Sequence, residues 1–363
     1  MSDLSHMHHA LVLAARALGR VAPNPAVGCV IVDAKGRIVG RGHTQKGGRP
    51  HAETVALAQA GAAAKGATAY VTLEPCSHLG KTPPCADALI EAGIALVVVG
   101  AQDPDPRVNG AGIARLRASG VGVKTGILED ACKEMNAGFF SRILEKRPLV
   151  TLKIAQSLDG RTASASGESK WITGEPARQF GHMLRAEHDA ILVGIGTAQA
   201  DDPELTCRLP GLEDRSPLRV ILDSRLKLSE WSKLAQSAHD HPTVVFTVNP
   251  DGGAALRAAG VEIIVVAKDA RGRADLNAIL KELAARGITR LLVEGGATIH
   301  ATFLDRGFAD RLEVFTAGLV LGAAGHASID SLAALALDEA SHFARTAMLR
   351  LGDDLLESYR RKA

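Results

Sequence analysis

Two consecutive α/β domains are what this sequence predicts, and three observations carry the prediction. Strand-like and helix-like segments alternate along most of the chain, as they do in βαβ units. Glycine is frequent, at 37 residues, and aromatics are scarce, at 3%, so the cores must be aliphatic with many close backbone approaches. The alternation pauses in the polar stretch Glu145-Lys146-Arg147 and restarts after Pro148, and 363 residues are comfortable for two domains of ordinary size. We therefore expect domains at 1–147 and 148–363.

Met7, Ala10, Leu11, Ala14 and Leu18 follow the i, i+3, i+4 spacing of a helix with one buried face. Pro23-Asn24-Pro25 ends it. Residues 27–32 form a buried strand, and Asp33-Ala34-Lys35-Gly36 is a hairpin turn into a second strand at 38–39. A helix is expected at 52–60, strands at 69–73 and 96–100, and a helix at 85–92. In the second half, strands are expected at 149–154, 190–193, 219–222, 243–246, 262–266, 290–293 and 311–315, with helices between several of them. No repeat or low-complexity tract interrupts the pattern.

Lysine and arginine total 42 against 40 aspartate and glutamate, a formal net charge of +2, with no block of like charge. A generic grip on nucleic acid or an anionic membrane is not expected, although a local basic pocket for a phosphorylated small molecule is compatible. No run reaches the ~18 uncharged apolar residues of a membrane span. Met1-Ser2-Asp3-Leu4-Ser5-His6 lacks the layout of a secretory signal, so a cytoplasmic protein is expected. Cys29, Cys76, Cys85, Cys132 and Cys207 are odd in number and scattered, a poor disulfide framework. Free thiols raise the question of a metal.

His51-Ala52-Glu53 opens a helix, and Pro75-Cys76 and Cys85 follow it. One imidazole and two thiolates suit Zn²⁺ and leave a fourth position for water. The order matches the H-x-E…P-C-x-x-C signature of zinc nucleobase deaminases, in which the glutamate moves protons and is not a ligand. Eight residues separate the cysteines where the signature has two, but the second is still preceded by proline and opens a helix. Two other readings compete. His51 and the cysteines could be buried core residues, or His78 could complete a four-ligand structural zinc site, which would leave Glu53 without a role. In a deaminase, zinc lowers the pKa of a water to roughly 7. Hydroxide then attacks an amidine-like ring carbon, and Glu53 carries the proton to the departing amine.

Pro23-Asn24-Pro25-x-Val27-Gly28, Pro50-His51-Ala52-Glu53, the run Thr72-Leu73-Glu74-Pro75-Cys76-Ser77-His78 and Thr82-Pro83-Pro84-Cys85 together resemble the deaminase domain of the bifunctional riboflavin-biosynthesis deaminase/reductases. The long loop between the cysteines and Asp103-Pro104-Asp105-Pro106 with Gly110 and Gly112 fit as well. The resemblance implies metal ligands His51, Cys76 and Cys85, proton shuttle Glu53, and Asn24 holding the pyrimidine ring. Lys81 is a further residue that could face the substrate.

The second half is harder to read from residues alone. Leu292-Val293-Glu294-Gly295-Gly296-Ala297-Thr298 and Val193-Gly194-Ile195-Gly196-Thr197 run from strand through glycine into helix, where backbone amides can approach a phosphate. Neither completes G-x-G-x-x-G, and a glycine pair after a strand is often only a tight turn. However, Lys153-Ile154-Ala155-Gln156-Ser157-Leu158-Asp159-Gly160-Arg161, Ser169-Lys170-Trp171-Ile172-Thr173, Ala200-Asp201-Asp202-Pro203-x-Leu205-Thr206-x-Arg208 and Leu222-Asp223-Ser224 resemble the same family's reductases, in family order. The fold class implied is α/β, with an N-terminal cytidine-deaminase-like zinc domain followed by a dihydrofolate-reductase-like domain that uses NADPH. By position, Ser169, Arg185, Leu205, Arg208 and Glu294 would contact the ribosyl phosphate substrate. Ala155, Trp171, Thr197, Asp201, Ser224, Gly296, Ala297 and Thr298 would line NADPH. Lys153 and Glu294 are candidates for proton handling. Arg185 and Arg208 offer planar forks for phosphate, and Trp171 a flat surface. On residues alone, Arg185 reads first as a helix-surface cation and Trp171 as a core aromatic.

The resemblance implies deamination of 2,5-diamino-6-(5-phosphoribosylamino)pyrimidin-4-one to the aminouracil, then reduction of its ribosyl group to ribityl by NADPH. The expected partners are that small molecule and further copies of the chain in a homo-oligomer, with no nucleic acid and no membrane. A deaminase of tRNA bases or free nucleosides with a decayed second domain is one alternative, and the near-neutral charge without an aromatic–basic stripe opposes it. A zinc-stabilised binding module is another. It would need four protein ligands and would be indifferent to Glu53→Gln.

Overall fold

The structure, a computed structural model, describes residues 2–78, 83–334 and 336–362; Lys81 lies outside them. Contacts divide the chain into two units, Met1–Arg147 and Pro148–Ala363.

The first unit contains α1 (Asp3–Ala15), β1 (Gly28–Val32), β2 (Ile38–His43), α2 (Ala52–Ala60), β3 (Thr68–Leu73), α3 (Cys85–Glu91), β4 (Leu96–Ala101), α4 (Ala111–Ala118), β5 (Gly122–Thr125), α5 (Glu129–Met135) and α6 (Ala137–Leu144). Its strands are ordered β2-β1-β3-β4-β5. β1 is antiparallel to both neighbours, and β3, β4 and β5 are parallel. Ser2 caps α1, its hydroxyl accepting from the Ser5 N–H. Met7, Ala10, Leu11 and Ala14 are buried on that helix. Leu18 is not part of it: the chain turns at Gly19, and Leu18 packs with Ala17, Val21 and Ala26 instead.

Gly40 and Gly42, on one face of β2, allow α2 to lie directly on the sheet. A Cβ at these positions would come within 2.2 Å of the Ala56 carbonyl oxygen and 2.1 Å of that of Ala52. This close approach fixes the start of α2, where His51 precedes the helix and Glu53 lies on its first turn.

The second unit contains β6 (Leu149–Ser157), β7 (Arg161–Ala163), α7 (Glu175–Glu187), β8 (Ala190–Gly194), α8 (Ile195–Asp201), β9 (Leu218–Leu222), α9 (Lys233–Gln236), β10 (Thr243–Thr247), α10 (Ala254–Ala258), β11 (Glu262–Val265), α11 (Leu276–Ala285), β12 (Arg290–Gly295), α12 (Ala297–Asp305), β13 (Arg311–Ala317), β14 (His326–Ala327), β15 (Phe343–Leu351) and β16 (Asp354–Arg361). Nine strands form one sheet in the order β11-β10-β9-β8-β12-β6-β13-β16-β15, and β7 pairs with β14. The strands from β11 to β13 are parallel, and β16 and β15 close the sheet antiparallel. Parallel strands are covered on both faces, which explains the unbroken apolar runs of β8 and β10. The hairpin β15–β16 is absent from the sequence-based expectations. β15 is an edge strand with most of its residues exposed, so no buried face imposes a period of two on it. Among the described residues no helix is long and apolar enough to cross a membrane.

Candidate active sites

In the first unit, the ends of β3 and two helix starts converge. His51 is the residue before α2, Cys76 follows β3, and Cys85 is the first residue of α3. Their ligand atoms all lie within 4.8 Å of one another, with His51 Nδ1 3.2 Å from Cys85 Sγ and 3.7 Å from Cys76 Sγ. The Cys76 sulfur also accepts from the Cys85 N–H at 3.3 Å. Hydrogen bonding from Cys85 pulls the Cys76 thiol down to about 4, while the same contact and burial push the Cys85 thiol far up. Two thiols at this distance share one negative charge unless a cation is present, and a soft divalent ion removes that conflict. The donor set therefore fits zinc. Among the described residues the group has three members. His78 is not one of them, which leaves a fourth coordination position open to water.

Glu53 is buried, 3% exposed, on the first turn of α2. Burial pushes its carboxyl up to about 7, with the His51 ring opposing the rise. A carboxyl poised near neutrality beside a metal-ligand group can both take and give a proton. Asn24 lies in the turn before β1, its side chain against Gly48, where a Cβ would fall 2.0 Å from Asn24 Nδ2. Glu74, two residues before Cys76, was not singled out from sequence. It is buried, and its carboxylate accepts from the N–H groups of Asp103, Gly110, Gly112 and Ile113, tying the cysteine segment to the start of α4.

In the second unit a cleft opens at the carboxyl ends of the parallel strands, the usual place for a ligand in such a sheet. It has two lobes, of about 760 and 680 Å³, which share Thr162, Ser169, Thr197, Asp201, Gly296 and Ala297 in their walls. Both volumes fall in the range of ligand sites. Ser224 and Thr298 line the larger lobe. Lys153, Ala155, Trp171, Arg185, Leu205, Arg208 and Glu294 line the smaller. Every second-unit residue proposed from sequence as a site residue thus lines one cleft. The turn after β12 is shaped by glycine: Gly295 has φ 151, and a Cβ on Gly296 would press on Thr197 Oγ1 at 3.2 Å. The larger lobe, with Gly194 and Gly296 leading into α8 and α12 and with Arg225, Lys227, Arg273 and Arg306 in its wall, fits a dinucleotide with its phosphates.

Glu294, at the end of β12, is the centre of the smaller lobe. Arg185 from α7 grips it with both nitrogens, Nε–Oε1 at 2.7 Å and Nη2–Oε2 at 2.8 Å, while Nη1 donates to the Thr206 carbonyl at 2.9 Å. Lys153 Nζ stands 3.9 Å from Glu294 Oε2. Burial works against the Glu294 carboxylate, but Arg185 and Lys153 overcome it and hold its pKa down at about 2. Burial lowers the pKa of Lys153, and Glu294 props it up. Two ambiguities in the sequence are settled here. Arg185 is no surface cation: it is largely buried and its fork is engaged by Glu294, so it has no free fork for phosphate. Trp171 is no core aromatic: it is 68% exposed, with the Arg178 guanidinium 4.7 Å over its ring. Arg208 pairs with Glu204 in an exposed contact that a ligand can displace. His300, buried in the wall of the smaller lobe, was not anticipated; no motif marks it.

A metal-ligating unit with a poised carboxyl, followed by an α/β unit with a dinucleotide-sized cleft, defines a deaminase joined to a reductase. Residues 1–101 match the family model of the cytidine and deoxycytidylate deaminase zinc-binding region, and residues 148–353 match that of the RibD C-terminal domain. The chain is 42% identical to the riboflavin biosynthesis protein RibD of Aquifex aeolicus over 360 residues, 99% of this chain and 98% of that one. It superposes on RibD of Acinetobacter baumannii with a TM-score of 0.89 at 38% identity, covering 99% of both chains. The Thermotoga maritima diaminohydroxyphosphoribosylaminopyrimidine deaminase/5-amino-6-(5-phosphoribosylamino)uracil reductase gives 0.89 at 36%, again over 99% of both. The chain belongs to the RibD family of bifunctional riboflavin-biosynthesis deaminase/reductases. Zinc and NADPH are its cofactors.

Proposed function

We propose the following division of labour among this chain's residues. The first unit takes 2,5-diamino-6-(5-phosphoribosylamino)pyrimidin-4-one and replaces its 2-amino group by oxygen, releasing ammonia. Zinc, held by His51, Cys76 and Cys85, supplies a water acidic enough to attack at neutral pH. Glu53 accepts the water proton at its carboxylate and returns it to the departing nitrogen. Asn24 orients the pyrimidine. The observation that carries this assignment is the buried Glu53 carboxyl, poised at about 7 beside the His-Cys-Cys group.

The second unit takes the resulting 5-amino-6-(5-phosphoribosylamino)uracil in the smaller lobe and reduces its ring-opened ribosyl carbon to a ribityl chain. NADPH, along Ala155, Trp171, Thr197, Asp201, Ser224, Gly296, Ala297 and Thr298, supplies the hydride. Ser169, Leu205 and Arg208 contact the substrate, Arg208 being the fork open to its phosphate. Arg185 serves by holding Glu294 in place and ionised. Lys153, a desolvated cation beside that carboxylate, is positioned to hand a proton to the substrate nitrogen. A closed homo-oligomer, the usual form of such enzymes, and a cytoplasmic location, consistent with five free cysteines, complete the proposal.

Mass spectrometry of the diaminopyrimidinone phosphoriboside after incubation with zinc-loaded protein tests both halves. Exchange of NH₂ for OH without NADPH, followed by a gain of two hydrogens only with NADPH, is expected. No change would overturn both assignments, and deamination without reduction would overturn the second.

A further inference from the structure

Arg219, in the middle strand segment of β9, is fully buried. Its partners are neutral: Nη1 donates to the Glu204 carbonyl at 3.1 Å and to Ser237 Oγ at 2.8 Å, and Nη2 donates to the carbonyls of Leu234 at 3.0 Å and His241 at 2.7 Å. Burial lowers its pKa only to about 10, so it is a cation at neutral pH. A buried cation held by three carbonyls and a hydroxyl, with no carboxylate among the described residues accepting from it, is a costly device that a packed apolar side chain would avoid.

Its reach explains the cost. The Glu204 carbonyl belongs to the segment 201–208, whose residues Asp201, Asp202, Glu204, Leu205 and Arg208 line the smaller lobe. Asp202 is the left-handed C-cap of α8, φ 39, and Leu205 has φ 56, a backbone angle an apolar side chain adopts only when its surroundings hold it there. Each end of the segment has its own tether. Asp202 Oδ1 accepts from the Lys233 N–H at 2.9 Å, and the Thr206 carbonyl accepts from Arg185. Arg219 supplies the tether between them, immediately before Leu205.

We propose that Arg219 is a positioning residue of the reductase, its buried guanidinium holding the Glu204 carbonyl so that Leu205 and Arg208 meet the phosphoribosyl substrate. The inference rests on the assignment of Leu205 and Arg208 to that substrate.

The test uses the full chain with zinc and NADPH supplied. Arg219→Lys keeps the charge but cannot span four acceptors. Its KM for the phosphoribosylaminouracil is expected to rise about tenfold, the scale of one lost charge-assisted hydrogen bond. The NADPH KM, kcat and ammonia release should stay within about twofold. Ser237→Ala, which frees Nη1 on one side without touching Glu204, should raise the same KM by about threefold. It carries the test alone if Arg219→Lys fails to fold. Val244→Ala, a buried change on β10, serves as a stability control and should lower Tm without splitting KM from kcat. Unchanged substrate KM in the folded variants, or parallel changes in both KM values and kcat, would overturn the role of Arg219. Arg208→Ala run alongside separates the two levels: if it too leaves the substrate KM unchanged, the site assignment itself falls.

Discussion

Replacing Glu294 by glutamine removes one negative charge from between two buried cations while keeping the shape of the side chain. In the native unit the carboxyl is held from its ordinary 4.5 down to about 2. At ~1.4 kcal/mol per pH unit this difference corresponds to about 3 kcal/mol of stability. The sign follows from proton binding. A depressed carboxyl pKa stabilises the fold above 4.5 and ceases to do so as pH falls through about 2, so the whole contribution is present at pH 7. An independent scale agrees, since removing one partner of a buried ion pair costs ~3–5 kcal/mol. For a unit of roughly 200 residues this lowers Tm by about 6–12 °C. The variant also leaves Lys153 buried without its counter-charge, so its pKa falls further. The unfolded chain then binds more protons than the folded one, and the deficit shrinks as pH is raised from 7 to 9. Scanning calorimetry of the full chain at both pH values reads these effects, with ammonia release as the control for the first unit. NADPH oxidation should fall by at least ~10²-fold, the scale of a lost proton-handling or orienting group. A variant that kept the native transition at pH 7, or whose deficit grew with pH, would refute this account of the cluster.

Three further outcomes are expected. Glu53→Gln should lower ammonia release by ~10²–10⁴-fold while bound zinc, measured by atomic absorption, and the reduction of supplied aminouracil are retained; stripping zinc with a chelator should have the same selective effect. Gly48→Ala forces a Cβ to within 2.0 Å of Asn24 Nδ2 and should reduce deaminase kcat/KM by ten- to a hundredfold, roughly the penalty for a displaced positioning group. His188 is buried and neutral, accepting from the Thr151 hydroxyl at Nε2 and donating to the Leu184 carbonyl at Nδ1, and burial lowers its pKa to about 4. Because the unfolded chain takes up this proton first, the second unit should lose about 3 kcal/mol as pH falls from 6.5 to about 4. His188→Gln should flatten that slope in pH-dependent urea unfolding.

The deaminase site was legible because its parts are local. His51 precedes α2 and Glu53 lies on its first turn, and Cys76 and Cys85 each directly follow a proline, with Cys85 opening α3, so residue types and spacing already describe a chemical object. The seven parallel strands of the second unit were legible for a related reason: strands covered on both faces must be continuously apolar. The exposed hairpin β15–β16 had no such constraint and left no pattern.

The reductase cleft is different, because its chemistry is a matter of which distant groups meet. The sequence by itself carried the family and the two α/β halves, and it singled out His51, Cys76 and Cys85, which the structure brings within 4.8 Å of one another. Only the tertiary structure decided that the fork of Arg185 is spent on Glu294, 109 residues away, and that Trp171 faces solvent. It alone decided that Arg219 reaches under the segment bearing Leu205 and Arg208. Hydrophobic period and ligand spacing are encoded along the chain, whereas the pairing of buried charges depends on where the sheet brings its strand ends, which no local stretch of sequence specifies.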